Sequence, residues 1–217
     1  MKFENRQQAG RLLAQALIHH AGRDALVLGL PRGGVPVAYE IAATLKAPLD
    51  VLVVRKIGVP FQPELGMGAI AEGPSLYFNR EIVEAVGISS ADLLRATRRE
   101  AREVRARVAR FRGGRRAPDV SNRLVILVDD GIATGGTTRA AIKSLRKRRA
   151  GHIVLAVPVA APETIDRLRR EVDEVVCLLK PRTMYAIGMW YEDFSQVDDT
   201  EVMRLLELAR TLSVGAH

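Results

Sequence analysis

Leu124-Val125-Ile126-Leu127-Val128-Asp129-Asp130-Gly131-Ile132-Ala133-Thr134-Gly135-Gly136-Thr137-Thr138 decides the architecture. Five Leu, Val and Ile residues in a row read as a strand covered on both faces, as strands of parallel sheets are. The run ends in two acids, passes through a Gly- and Thr-rich loop and enters a helical pattern. The carboxyl edge of a parallel strand is where α/β folds place ligands. Loop N–H groups and a helix N-terminus make an anion site there, and threonine hydroxyls add donors. Two carboxylates beside a phosphate cradle would repel the phosphate itself; they suit sugar hydroxyls or a metal-bound ligand. The glycines of 131–137 are spaced as in a P-loop, but Gly136 is followed by Thr137 and not by Lys. No G-x-G-x-x-G follows any strand, so the dinucleotide fingerprint is absent too. A turn that merely starts a helix requires neither the acids nor the Gly/Thr run.

Outward from this stretch, apolar runs at 26–30, 51–54, 153–157 and 175–179 read as further buried strands. Helical patterns occupy 6–20, 35–45, 138–149 and 162–171. Such alternation predicts a mostly parallel sheet with helices on both faces, its strand order open. A length of 217 residues suits one domain, 1–217. A single Cys177 excludes an intramolecular disulfide and a four-cysteine zinc site, and on a core strand it reads as inert packing. His19 and His20 are adjacent, so a helix points them in different directions. No apolar run approaches the ~18 residues of a membrane span. The first eleven residues are too polar for a signal peptide, so the expectation is a cytoplasmic protein.

The net charge of +8 is concentrated. Between 88 and 116 stand ten arginines against Asp92, Glu100 and Glu103, a local excess of +7, which leaves the rest nearly neutral. Within it Leu94, Thr97, Ala101, Val104, Val108 and Phe111 form a narrow seam on one long helix over 90–111. The narrowness predicts an inserted appendage, packed on the body or on a partner subunit, whose removal leaves phosphate binding intact.

Three further stretches carry chemistry. Leu28-Gly29-Leu30-Pro31-Arg32-Gly33-Gly34-Val35 runs from strand through loop to helix, with a permanently charged donor beside two glycines that allow close backbone approach. Val53-Val54-Arg55-Lys56-Ile57-Gly58-Val59-Pro60 ends a strand in two cations before a Gly/Pro-rich stretch that continues through Glu64 to Gly68. The segment 180–194 gathers Trp190, Tyr185 and Tyr191, aromatic faces able to stack on a planar base or to plug the sheet.

The 124–138 stretch closely resembles the phosphoribosyl-pyrophosphate (PRPP) motif of type I phosphoribosyltransferases, and the resemblance extends over about 26–194. It implies an α/β, Rossmann-like fold: a mostly parallel sheet flanked by helices, with a mobile lid loop at 60–67, a small C-terminal hood and C-terminal helix at 180–217, and an inserted Arg-rich helix at 88–116. It implies a Mg-dependent glycosyltransferase of nucleotide metabolism. The 5-phosphoribosyl group would move from PRPP to a nucleobase-like acceptor, with release of pyrophosphate. Asp129 and Asp130 would meet the ribose, and Gly131, Ile132, Ala133, Thr134, Gly135, Gly136 and Thr137 the 5′-phosphate. Arg32, Gly33, Gly34, Arg55 and Lys56 would meet pyrophosphate, with Lys56, Arg32 and Asp130 as the catalytic set. Trp190 and Tyr191 would meet the base. Mg2+ would be held through PRPP, with Asp129 and Asp130 the protein groups nearest it, and no direct metal site. The family's non-proline cis peptide would fall between Pro31 and Arg32. Ala133 stands where 6-oxopurine members carry an acid, which argues against hypoxanthine or guanine. Glu64, Glu192 and Asp193 are then the candidate bases. A homodimer is expected. The alternative is a PRPP-sensing regulator that binds RNA or DNA through the Arg-rich segment.

Overall fold

The computed structural model describes residues 2–73 and 75–214. In chain order the elements are α1 (Arg6–Ala16), a 3-10 turn (Ile18–His20), β1 (Ala25–Gly29), α2 (Gly34–Leu45), β2 (Leu49–Val51), β3 (Val54–Val59), β4 (Gln62–Ala71), β5 (Ser75–Phe78), α3 (Arg80–Val86), α4 (Ser90–Arg112), β6 (Leu124–Val128), α5 (Gly136–Lys147), β7 (His152–Val159), α6 (Pro162–Leu168), β8 (Glu174–Leu179), a second 3-10 turn (Ile187–Trp190) and α7 (Asp199–Val214). Among the described residues no helix is long and apolar enough to cross a membrane.

Five strands form a parallel sheet in the order β2-β1-β6-β7-β8. After β1 the chain moves one way, through α2 to β2; after β6 it moves the other way, through α5 to β7. The gap between β1 and β6 is therefore the point where winding reverses, where open α/β sheets bind ligands. Their register pairs Gly29 with Val128, so the two following loops leave one sheet edge side by side. Helices α1, α2 and α7 pack one face around Leu13, Ile41 and Leu206. Helices α5 and α6 cover the other around Leu145, Ile165 and Leu168.

A second, three-stranded antiparallel sheet, β3-β4-β5, replaces two expectations. The run at 51–54 is not one strand: β2 ends at Val51 and β3, in a different sheet, begins at Val54. The stretch at 60–67 is not a loop but the turn of a hairpin and the first part of its second strand, β4. Its glycines are cross-strand contacts. A Cβ on Gly58 would lie 2.3 Å from the Pro63 carbonyl oxygen, and one on Gly68 2.4 Å from that of Tyr77. This sheet lies between helices: Ile57 and Ile70 join the cluster containing α4, and Val54, Ala69 and Ala71 the cluster containing α5.

Helix α4 departs from the appendage reading. Ser89 caps its start, its Oγ accepting the Asp92 N–H at 3.1 Å, and Gly113 ends it at φ 57°. Its buried line is Ala96, Glu100, Val104, Phe111 and Arg112, while Leu94 is 49% exposed. The seam holds at Val104 and Phe111, with Ala101 and Val108 half-buried against the core, but an apolar count leaves out Glu100 and Arg112 because those buried positions are charged. Arg112 donates to Asp50 at 2.8 Å, to the Val51 carbonyl at 2.7 Å and to Glu72. It thereby joins α4 to β2 of the first sheet and to the β4–β5 turn. Burial pushes the Asp50 carboxyl up, and the Arg112 charge opposes that rise. Removing one partner of a buried ion pair strands the other, at ~3–5 kcal/mol. Arg112→Ala should lower stability by about that amount in urea unfolding, while Arg98→Ala, exposed on the same helix, should not. Equal midpoints for Arg112→Ala and wild type would contradict this role.

Candidate functional site

The loops after β1 and β6 meet because glycine stands where they touch. A Cβ on Gly33 would lie 1.9 Å from Asp130 Oδ2, and one on Gly34 would lie 2.7 Å from the Val128 carbonyl oxygen and 3.0 Å from Asp129 Cα. Any side chain there would push the Arg32 loop off the acid pair. The Pro31–Arg32 peptide bond is cis, as the resemblance implied. Beyond the acids the chain turns at Gly135, φ +78°, and enters α5 at Gly136. The N–H groups of 133–137 have no protein acceptor among the described residues, the condition of an anion-binding helix start. The 3-10 turn of the hood presses on this loop from outside, Ile187 Cγ2 lying 2.5 Å from where a Cβ on Gly131 would be.

The two acids are not equivalent. Asp129 is half-buried, and its Oδ1 accepts the Asp130 N–H at 2.9 Å. Burial first, then the charge of Asp130, pushes its carboxyl well above the usual carboxylate range. Asp130 is buried and paired: Arg6 Nε donates to its Oδ2 at 2.8 Å. Arg6 also donates to the Ser195 carbonyl at 2.8 Å and lies 3.8 Å over the Phe194 ring. Nothing in the motif pointed to Arg6; the one signal was an arginine directly behind an N-cap, Asn5. With a guanidinium already on Asp130, the pair does not suit a divalent ion held directly by the protein. A cation at this edge would arrive on its ligand.

Tyr191 is not presented to a base. It is 3% exposed, its hydroxyl donates to the Asp130 carbonyl at 2.6 Å, and its ring packs against Phe3 and Phe194. Trp190 is half-buried beside the same cluster. The hood is therefore joined to the N-terminal residues and braces the acids from behind. Asp193 accepts from the Ser195 N–H and hydroxyl, which hold its carboxyl below the usual range and unsuit it as a base. Glu192 is exposed, and the Glu64 side chain lies outside the described residues.

Arg55 and Lys56, expected to act together, point to opposite faces of β3, as strand geometry requires. Arg55 turns to α4, where its Nε donates to Glu100 at 3.1 Å. Lys56 lines a cavity of about 630 Å³ with Thr134, Thr137, Arg139 and Arg167, on the phosphate-loop side. Lys56 thus faces the 133–137 loop and Arg55 faces α4.

Two lesser expectations are also answered. Burial raises the Cys177 thiol to about 11, which suits the packing role expected of it. His19 and His20, expected to diverge, both reach Glu174, at 3.3 and 3.0 Å, forming the one His/Cys/Asp/Glu group of metal-binding size among the described residues. Arg23 lies 3.2 Å from His20 Nδ1. An arginine only donates, so Nδ1 accepts and Nε2 carries the proton to Glu174, leaving no lone pair for a metal.

The raised Asp129 carboxyl has a signed consequence. Its folded pKa exceeds its unfolded one, so its contribution to stability is full below the ordinary value of 3.8 and is lost as pH rises through the folded pKa. Asp129→Asn keeps the acceptor oxygen and lacks this loss. Its melting temperature should gain on wild type from pH 4 to pH 8, by ~2 °C or more. A difference that stays constant or shrinks over that range would contradict the assignment.

Comparison with known proteins adds what geometry does not. Two Mycobacterium tuberculosis proteins provisionally named as phosphoribosyl transferases, from strains CDC 1551 and H37Rv, are each 46% identical over 207 residues, 95% of this chain and 47% of theirs. This chain thus spans about half the length of those relatives. A uracil phosphoribosyltransferase of Lactobacillus gasseri is 45% identical over 58 residues, 27% of this chain and 28% of that protein. The crystal structure of protein TT1426 from Thermus thermophilus superposes with a TM-score of 0.80 at 40% identity, covering 95% of this chain and 98% of that one. A family model for the phosphoribosyl transferase domain matches residues 3–188, and by that match this chain belongs to the phosphoribosyl transferase domain family.

Proposed function

We propose that the chain is a phosphoribosyltransferase that moves the 5-phosphoribosyl group from PRPP to a nucleobase-like acceptor. The observation that carries the reading is the meeting of the Arg32–Gly34 loop, the acid pair and the 131–137 loop at the point of winding reversal. That arrangement suits a ligand with a phosphate at one end, hydroxyls in the middle and a diphosphate at the other. The C1′–oxygen bond to diphosphate breaks, a C1′–nitrogen bond forms, and the acceptor nitrogen gives up its proton. The transition state carries positive charge on the sugar, so catalysis rests on positioning and electrostatics.

Each group then has a task. The free N–H groups and hydroxyls of 133–137 hold the 5′-phosphate, with Lys56 facing them. Asp130, oriented by Arg6, accepts from a ribose hydroxyl, and Asp129 faces the same ribose beside it. Arg32 neutralises the leaving diphosphate. Mg2+ enters as the counter-ion of PRPP and so as part of the substrate. Ala133 cannot ionise, so no base stands at that loop position.

A second reading, a PRPP-sensing protein that binds RNA or DNA, is favoured by one feature. Arg98, Arg102 and Arg105 form an exposed stripe on α4 with no carboxylate in ion-pair range among the described residues. Diphosphate release from PRPP across a panel of nucleobases separates the two. The transferase gives release that depends on the base, with hypoxanthine and guanine inactive. PRPP binding without release for any base would favour the sensor, and no PRPP binding by calorimetry would sink both.

A further inference from the structure

The loop that ends α4 carries charges for which the proposed reaction has no use. Arg112-Gly113-Gly114-Arg115-Arg116 turns through two left-handed glycines, Gly113 at φ 57° and Gly114 at φ 83°, and the Arg115 N–H donates back to the Arg112 carbonyl at 3.2 Å. A Cβ at either glycine would meet nothing within 4 Å, so glycine is needed there for the backbone conformation alone. The turn sets Arg115 and Arg116 around the same cavity as Arg112, and α7 adds Arg210; the cavity measures about 190 Å³. Pro118, on its wall, is held by Arg148, which donates to its carbonyl at 2.7 Å.

The neighbouring acids do not balance these arginines. Asp50 is the one carboxylate lining the cavity among the described residues, and both its oxygens are taken, Oδ2 by Arg112 Nε and Oδ1 by the Val51 N–H, each at 2.8 Å. Arg112 uses one donor each on Asp50, Glu72 and the Val51 carbonyl, and a guanidinium has further donors to give. Glu207 is exposed and shared: it pairs with Arg210 and lies 3.9 Å from Arg115, beyond hydrogen-bond distance. Arg116 has no carboxylate in ion-pair range among the described residues.

The cavity lies at the opposite edge of the sheet from the PRPP loops. Leu26 and Leu49, near the starts of β1 and β2, line it, whereas the glycine loop leaves β1 at Gly29, roughly 10 Å further along that strand. We propose that this cavity is a second anion site, separate from the PRPP site, and that it binds a diphosphate group. Four arginines against Asp50 leave an excess of +3 among the lining residues. Arginine suits a diphosphate, since its planar fork of donors matches phosphate oxygens two at a time. A water needs ~10–15 Å³, so the cavity has room for about a dozen, enough for such a group. Pro48 and Pro118 add apolar faces on which the rest of a nucleotide could lie. The lining holds no nucleophile and no free base, so the site binds and does not catalyse. None of this rests on the transferase reading.

Calorimetry on the full chain tests the proposal, with inorganic diphosphate as titrant and ADP as competitor. The variants are Arg116→Ala, Arg210→Ala, Arg32→Ala and the control Arg102→Ala, which is exposed on α4 and outside the cavity, each first checked for an unchanged melting curve. Wild type should take up two diphosphates per chain, one at each sheet edge. Arg116→Ala and Arg210→Ala should each weaken one of the two tenfold or more, as loss of a charge-assisted contact does. Arg32→Ala should weaken the other, and Arg102→Ala should match wild type. Displacement by ADP from the Arg116 site would identify the ligand as a nucleotide, and failure to displace would identify it as free diphosphate. A single diphosphate per chain, unaffected by Arg116→Ala and Arg210→Ala, would overturn the proposal. So would an equal loss in Arg102→Ala, the mark of a diffuse surface for polyanions such as RNA. A single diphosphate lost in Arg116→Ala and kept in Arg32→Ala would sustain this site and overturn the placement of the leaving group at Arg32.

Discussion

The absence of a side chain at residue 33 is the constraint on which the site depends. Asp130 Oδ2 sits where that side chain would begin, 1.9 Å from an ideal Cβ. Because Gly33 is bare, the loop after β1 lies against the acids after β6, and two loops become one surface. The pairing of Gly29 with Val128 delivers both loops to the same edge, and the glycine lets them close. Asp130 in turn is held by Arg6 from α1 and, through its carbonyl, by Tyr191 of the hood. Chain segments separated by more than a hundred residues therefore converge on one aspartate.

A second set of buried charges holds the periphery to this centre. Arg112 reaches Asp50, Glu72 and the Val51 carbonyl, and Glu100 receives Arg55 and Arg99. Such pairs add little net stability over a well-packed apolar core, yet losing one partner is costly. Their effect is to fix the position of a helix whose outer face is strongly basic.

What the sequence disclosed followed the physics of each segment. The strand at 124–128 was legible to the residue, since an unbroken apolar run bounded by acids has one reading. Strands β1, β7 and β8 were found within two residues at either end, and helix α2 within one. The second sheet was missed because Gly58, Gly66, Gly68, Pro60 and Pro63 look like loop residues. Two of those glycines are instead where neighbouring backbone comes too close for a Cβ. Of the site, the acids, the threonine loop and the glycine loop were legible as motifs. The separation of Arg55 from Lys56 needed only the alternation of a strand, once a strand was known to be there. Arg6 and the burial of Tyr191 were not legible, because they are long-range contacts with no local spacing to betray them.

The most direct test of a single site built from two loops is a crystal of this chain soaked with PRPP and Mg2+. The account requires the 5′-phosphate at the N–H groups of 133–137, the ribose at Asp129 and Asp130, and the diphosphate beside Arg32 and Gly33. Density for PRPP lying elsewhere, or with its diphosphate at the threonine loop, would contradict it.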